Sequence, residues 1–365
     1  MKKLSSSKIT FLENLYNADH TENSLLRSIS SILDSESNIH ARFLPIYIAP
    51  RLWQRFIDGI DGFKLIKQHE NIFLFQVSLT ISENGEKRAL SGFTYFLKYS
   101  QYPNVYVAIT LENTLFYSKG LLPYFKRKYP LASLTFISHK KLRHLLTKFH
   151  ENNEFESFTI VRTTTYSRIG QRVVPSVNWP SFTLDKAFEW VAGENGWFQN
   201  LTFKIKKRHG FQAEISISRN GILKITGYTV PAFDDLILPI IRVIYRNVEL
   251  FGNRARLDNP ERNIRPLCID FDENIFVNTI ENEKFINSLQ LMKTSSVSVL
   301  HANPYVHVSV FDYFDGSSFD IWVLSENKII IVPQLKSSFQ SIKRLINHIF
   351  DKYAEGDISE YEVAS

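Results

Sequence analysis

Cations recur at four-residue intervals between residues 139 and 150: Lys140, His144 and Lys148, with Lys141 and Arg143 beside them. On a helix this spacing aligns the cations along one face, while Leu142, Leu145, Leu146 and Phe149 form an apolar stripe on the other. A docked helix with an outward row of cations suits a nucleic-acid backbone, because each neutralised phosphate releases condensed counterions. Charge runs are usually solvated faces that mix both signs. This one is unopposed: between Glu112 and Glu151 there is no acidic residue, yet Lys119, Lys126, Arg127, Lys128, Lys140, Lys141, Arg143 and Lys148 all fall there. The nucleic-acid reading is therefore placed ahead of the solvated face.

A second run is Lys204, Lys206, Lys207 and Arg208. Lys204 and Lys206 share one face of a strand, opposite Ile205, and can meet phosphates. A solvated hairpin tip explains them equally well. Arg254, Arg256, Arg262 and Arg265 lie in a loop rich in Asn, Asp and Pro. Their guanidinium forks suit phosphates, and suit equally the carboxylates of the acidic carboxy-terminal third.

Signals for catalysis are poor. The chain has neither a Walker pattern nor a dinucleotide fingerprint. His301 and His307 stand six apart with no cysteine near, an unfavourable metal spacing. Cys268, the single cysteine, sits between Leu267 and Ile269 and reads as a small core residue. Asp270 and Asp272 point to one side of an extended segment and could bind a magnesium ion, which makes a metal-dependent nuclease the enzymatic alternative. Without a third ligand or a general base, an acidic strand end explains them better. No cofactor and no metal are expected.

Composition sets the class. Of 365 residues, 44% are hydrophobic and 22% charged, which excludes a disordered or collagen-like chain and allows two or three domains. A lone cysteine excludes a disulfide scaffold. No run of about 18 apolar residues occurs, so no membrane contact is expected and the chain reads as cytoplasmic. The net charge of +6 is unevenly spread: residues 1–155 carry +7, residues 156–269 carry +6 and residues 270–365 carry −7.

The elements that position these residues follow from hydrophobic period. Helical spacing covers Thr21–Leu33. Phe43–Ala49 reads as a strand interrupted by Pro45, and Pro50 opens a helix. Ile72–Ile81 alternates, Glu83-Asn84-Gly85-Glu86 is a hairpin turn, and Leu90–Tyr99 and Val105–Leu111 are further strands. Leu121–Lys128 is helical, Leu131–Ile137 a strand and His139–Phe149 a helix. Beyond residue 155 the pattern repeats. Thr183–Trp190 (helix), Leu201–Ile205, Gln212–Ser218 and Ile222–Thr229 (strands) and Phe233–Val248 (helix) recur about 105 residues later. The second set is Glu281–Met292, Val306–Phe311, Ser318–Leu324, Lys328–Val332 and Leu335–Tyr353. The fold expected is α+β: a mixed sheet-plus-helix domain over 1–155, then two diverged α-β-β-β-α repeats over 156–269 and 270–365.

The β-β-β-α-β order of the first domain resembles the core of restriction-endonuclease-like nucleases. That resemblance implies an acid on one core strand and an acid-x-Lys on the next. The strands Ile72–Ile81, Leu90–Tyr99 and Val105–Leu111 hold no Asp or Glu, and Glu86-Lys87 is in a turn at the wrong spacing, so the resemblance implies a non-catalytic relative.

The expected function is a non-enzymatic, nucleic-acid-binding accessory subunit with a protein partner, DNA ranking ahead of RNA. Lys126, Arg127, Lys128, Lys140, Lys141, Arg143, His144, Lys148, Lys204, Lys206, Lys207 and Arg208 would hold the backbone. Heavy use of Asn, Ile, Lys and Phe, typical of A/T-rich bacterial islands, makes an antiviral defence assembly the expected setting. The other alternative is a protein-interaction subunit that never touches nucleic acid.

Overall fold

The computed structural model describes residues 6–36, 38–83, 85–128, 131–167, 173–193, 196–206, 212–252, 254 and 265–361. The chain is α+β, and it forms two compact units, residues 1–245 and 246–365.

The first unit begins with α1 (Ser6–Asn17), α2 (Glu22–Ser35), β1 (Ala41–Ile48), α3 (Pro50–Ile57), β2 (Phe63–His69), β3 (Ile72–Glu83), β4 (Glu86–Lys98) and β5 (Val105–Thr110). After a π-helical turn at Phe116–Leu121 come α4 (Leu122–Arg127), β6 (Ala132–Leu134), α5 (His139–Asn152), β7 (Ser157–Ser167), β8 (Val173–Phe182), α6 (Leu184–Gly193), β9 (Gly196–Lys206), β10 (Gln212–Ser218) and β11 (Leu223–Gly227). A short α7 (Val230–Ala232) and a second π-helical turn, Phe233–Ile237, lead into α8 (Leu238–Phe251). The strands form one sheet in the order β2-β3-β4-β5-β1-β11-β10-β9-β7-β8, with β6 also paired to β1. Strands from either side of residue 155 thus share it, joined where Ala41–Phe43 pair with Leu223–Ile225.

Pro45 does not interrupt β1. A proline is tolerated in a strand where no ladder bond needs its missing N–H. On one edge β1 pairs with β5 from Arg42 to Tyr47; on the other it meets β11 at 41–43 and β6 at 46–48. Pro45 falls in the gap between those two partners.

Leu44, Ile46 and Ile48 face an aromatic-rich core built with Leu52, Trp53 and Phe56 of α3 and Tyr124 and Phe125 of α4. Trp53 stacks on Tyr106 with ring centroids 4.2 Å apart, and Phe56 on Phe63 at 4.0 Å. The opposite face of β1 presents Phe43 to Phe233 at 6.1 Å. On that side Ser30 of α2 and Thr229 share a buried 2.6 Å hydroxyl contact. The α3/α4 cover ends at Arg42. Farther along the same face, Arg162 of β7, Asn200 and Lys204 of β9 and Glu214 of β10 are exposed, and Lys224 and Thr226 of β11 are half-buried.

The second unit contains β12 (Leu267–Phe271), α9 (Thr279–Gln290), β13 (Ser295–His301), β14 (His307–Asp312), β15 (Ser318–Ser325), β16 (Lys328–Pro333), α10 (Phe339–Lys352) and β17 (Gly356–Glu360). Its antiparallel sheet runs β13-β14-β15-β16-β12-β17. Ile269, Val308, Val310, Ile321, Ile329 and Ile331 are buried, as are Phe285 and Leu289 of α9 and Ile342, Leu345 and Ile349 of α10. Between α9 and α10 stand four strands rather than the three expected, because Ser295–His301 is a strand whose alternating serines hide its hydrophobic period.

Among the described residues, no helix is long and apolar enough to cross a membrane.

Candidate nucleic-acid interface

The predicted basic helix forms as α5. Ser138 caps it, its hydroxyl accepting from the Lys141 amide at 3.3 Å, and Leu142, Leu145, Leu146 and Phe149 are buried. Phe149 lies 6.4 Å from Phe158 of β7 and 6.0 Å from Phe203 of β9. Lys140, Arg143, His144 and Lys148 are exposed and Lys141 is half-buried. Arg143 stands 3.5 Å from Asp185 and 5.6 Å from the Phe188 ring centroid.

The other predicted cations are not gathered around α5. Lys126 and Arg127 are exposed at the end of α4, but Lys128 is held by Asp61 at 2.9 Å and lies against the Tyr124 ring. Arg55 binds the same carboxylate at 2.8 Å. These partners, Arg55 first, pull the Asp61 carboxyl down to about 2, so Lys128 serves the fold. Lys206 meets Glu156 at 3.1 Å. Lys207 and Arg208 lie outside the described residues. Lys204 is on the opposite face of β9 from Phe203, because adjacent strand residues point to opposite faces. The α5 row and Lys204 therefore belong to opposite faces of the sheet.

On the Lys204 face, strand register assembles a site of which Lys204 alone belongs to a local charge cluster. One cross-strand row reads Arg162 (β7), Thr202 (β9), Ser216 (β10), Lys224 (β11), Arg42 (β1) and Thr110 (β5), each residue paired with the next. The neighbouring row places Lys204, Glu214 and Thr226 side by side. At the strand spacing of about 4.8 Å, Arg162 and Lys224 are roughly 14 Å apart. Together Val161, Arg162, Thr164, Asn200, Thr202, Lys204, Glu214, Ser216, Lys224 and Thr226 line a hollow of about 500 Å³. Three of these ten are cations, one is an acid and five are neutral hydrogen-bonding residues.

Charge repulsion is built into this surface. Burial lowers the Lys224 pKa, and the nearby Arg42 and Arg162 lower it further, with Glu214 opposing them. Glu214 is also 3.7 Å from Lys204, both side chains being about half-exposed, which leaves that pair weak. Arg42 is anchored: its guanidinium donates to the Glu112 carbonyl and to the Thr114 hydroxyl, each at 2.8 Å, and lies over the Tyr117 ring. It adds fixed positive potential rather than a mobile contact.

The candidate metal carboxylates are arranged differently. Asp270 accepts an ion pair from Lys328 at 2.8 Å, placing an ammonium where a cation would sit. Among the described residues no group of three or more His, Cys, Asp or Glu is placed to hold a metal. His301 and His307 are cross-strand partners with ring centroids 6.5 Å apart, and His307 stacks on Trp322 at 3.6 Å. Cys268 is buried, which pushes its thiol up to about 11.

No protein-family model, curated protein or solved structure matches the chain.

Proposed function

We propose that the first unit binds the sugar–phosphate backbone of a nucleic acid across the open face of β7, β9, β10 and β11, as a binding subunit rather than a catalyst. The observation that carries this reading is the register row Arg162–Thr202–Ser216–Lys224–Arg42, in which two hydroxyls lie between flanking cations across five strands. Cations supply the counterion-release term, and Thr, Ser and Asn donate to phosphate and sugar oxygens. The surrounding unit supports it, with 31 Lys and Arg against 20 Asp and Glu over residues 1–245.

The lining holds no aromatic residue. Single-strand binders stack bases on aromatic rings, so this face favours a duplex. The one acid in the lining, Glu214, sits beside Lys204, which supports contact rather than chemistry.

Electrophoretic mobility of labelled duplex DNA, duplex RNA and single strands, measured with the full chain at about 50 and 200 mM salt, tests the proposal. Binding of duplexes that weakens steeply with salt is expected. Absence of binding in every low-salt lane would overturn it.

A further inference from the structure

Among the described residues, β2 and β8 end the main strand order of the first sheet and β13 and β17 that of the second, and three of these four carry devices that discourage further strand pairing. β2 bears Lys64 and Lys67 with a bulge between Leu65 and Lys67. β8 contains Pro175 and Pro180. β17 carries Asp357 and Glu360. Charges, prolines and bulges are the usual means of blunting a sheet edge. The fourth, β13, reads Ser-Ser-Val-Ser-Val-Leu-His, with no acid, lysine, arginine or proline; its one bulge lies at its end, between Val299 and His301, and leaves Ser295 to Val299 regular. Val299 and Leu300 are exposed, as are Phe311 and Tyr313 opposite Ser296 and Thr294 at the other end of the strand.

Backbone bonding shows which groups this edge offers. The Tyr313 amide donates to the Thr294 carbonyl, whereas the Asp312 amide turns away to Ser317 on the β15 side. Hydrogen-bonded and non-bonded pairs alternate along an antiparallel ladder. Ser296 and Ser298 therefore bond to β14, and the N–H and C=O groups of Val297 and Val299 point out from the sheet.

We propose that β13 pairs antiparallel with β13 of a second copy of this chain about a twofold axis, joining the two six-stranded sheets. The occupant follows from the strand's self-complementarity. A twofold antiparallel register matches residues of the same parity, so Val meets Val on the core face and Ser meets Ser on the outer face. Centred on Ser298, it pairs the outward groups of Val297 with those of the partner's Val299. No like charges meet along the strand, although this unit carries 17 Asp and Glu against 12 Lys and Arg over residues 246–365. A charged foreign peptide would lack that match. The inference is independent of nucleic-acid binding.

Light scattering or sedimentation of the full chain, free of nucleic acid and at high salt, is expected to give twice the 42.5 kDa chain mass. Val297→Pro removes one outward N–H but no bond to β14, and should leave a folded monomer. Ser298→Lys and Ser298→Glu, each placing like charges across the axis, should each be monomeric, and an equimolar mixture of the two should recover the dimer. Circular dichroism confirms that each variant is folded. A wild-type chain that stays monomeric at high concentration would overturn the proposal. So would a dimer unaffected by all three substitutions, or charge variants whose mixture fails to associate.

Discussion

Replacing Arg162, Lys204 and Lys224 together by alanine separates the sheet face from the basic helix. These are the three cations lining the hollow, while Arg42 keeps its internal bonds to Glu112 and Thr114. Each phosphate contact contributes about −0.9 to the slope of log K against log salt. Three contacts give a slope near −2.7, so raising salt from about 50 to 200 mM weakens binding about 40-fold. The triple variant should lose that part of the slope, and each single substitution about one third of it. Glu214→Gln should act oppositely, tightening binding, because it removes the one acid of the lining and frees Lys204 from its 3.7 Å partner. Fluorescence anisotropy of a labelled duplex across a salt series reads both quantities. An undiminished slope in the triple variant, with the slope abolished by substituting Lys140, Lys141, Arg143 and Lys148, would refute the sheet-face assignment and place the contact on α5.

Three further outcomes follow from the charges. Lys224 has a lowered pKa from burial and from Arg42, and a bound phosphate would raise it again; binding should therefore take up a proton and weaken as pH rises into the alkaline range. Calorimetry in buffers of different ionisation enthalpy detects that proton, and a buffer-independent enthalpy would count against it. Asp61→Asn should cost about 1 kcal/mol near neutral pH by releasing Arg55 and Lys128. The folded-state pKa is depressed to about 2, so this contribution is present above the ordinary carboxylate value of about 3.9 and fades as pH falls through about 2; denaturation midpoints of variant and parent should converge there. Lys343 on α10 is buried, which pushes its ammonium down to about 7. The unfolded chain holds that proton up to about 10.4, so the penalty is full below pH 7 and vanishes above the unfolded value. Lys343→Met should then stabilise the protein by ~2 kcal/mol at pH 7 and much less at pH 10. Equal effects at both pH values would show that the lysine is charged in the fold.

Local patterns were legible in the sequence where one face is apolar and the other polar. Ile72–Ile81, the stripe Leu142–Phe149 and the alternation of Gln212–Ser218 all became the elements their periods indicate. What periodicity cannot show is partnership. Ser157–Ser167 and Ser295–His301 are strands rich in Thr or Ser, whose weak contrast between faces gives little signal. Pro45 read as an interruption because the gap between β11 and β6 is a tertiary fact. The candidate site was hidden for the same reason. Arg42, Arg162 and Lys224 are far apart in the chain, each isolated among apolar or hydroxyl residues, and only the pairings β1–β11, β11–β10, β10–β9 and β9–β7 align them. Lys204 alone of this group stood in a visible cluster. A lone cation within a Thr-rich or alternating strand, as in Val161-Arg162-Thr163-Thr164 or Leu223-Lys224-Ile225, is the signal that could have marked it.

The two basic surfaces also differ in what the fold asks of them, and that difference favours the sheet. Lys140 and Lys141 stand in the first turn of α5, where the helix dipole disfavours cations, and the first turn holds no acid. A solvated turn can carry that cost in high dielectric, so the helix row needs no ligand to explain it. The sheet row has less freedom. Lys224 is half-buried, its charge is opposed by Arg42 and Arg162, and Glu214 offsets only part of that repulsion. Replacing Lys224 with methionine would relieve the repulsion and keep the packing of the stem. If the row exists for an anionic ligand, Lys224→Met should raise the denaturation midpoint of the free protein while weakening its grip on duplex DNA. A variant that is stabilised with binding unchanged would reduce the row to a packing compromise, and one that loses stability would show that the ammonium is held by the fold itself.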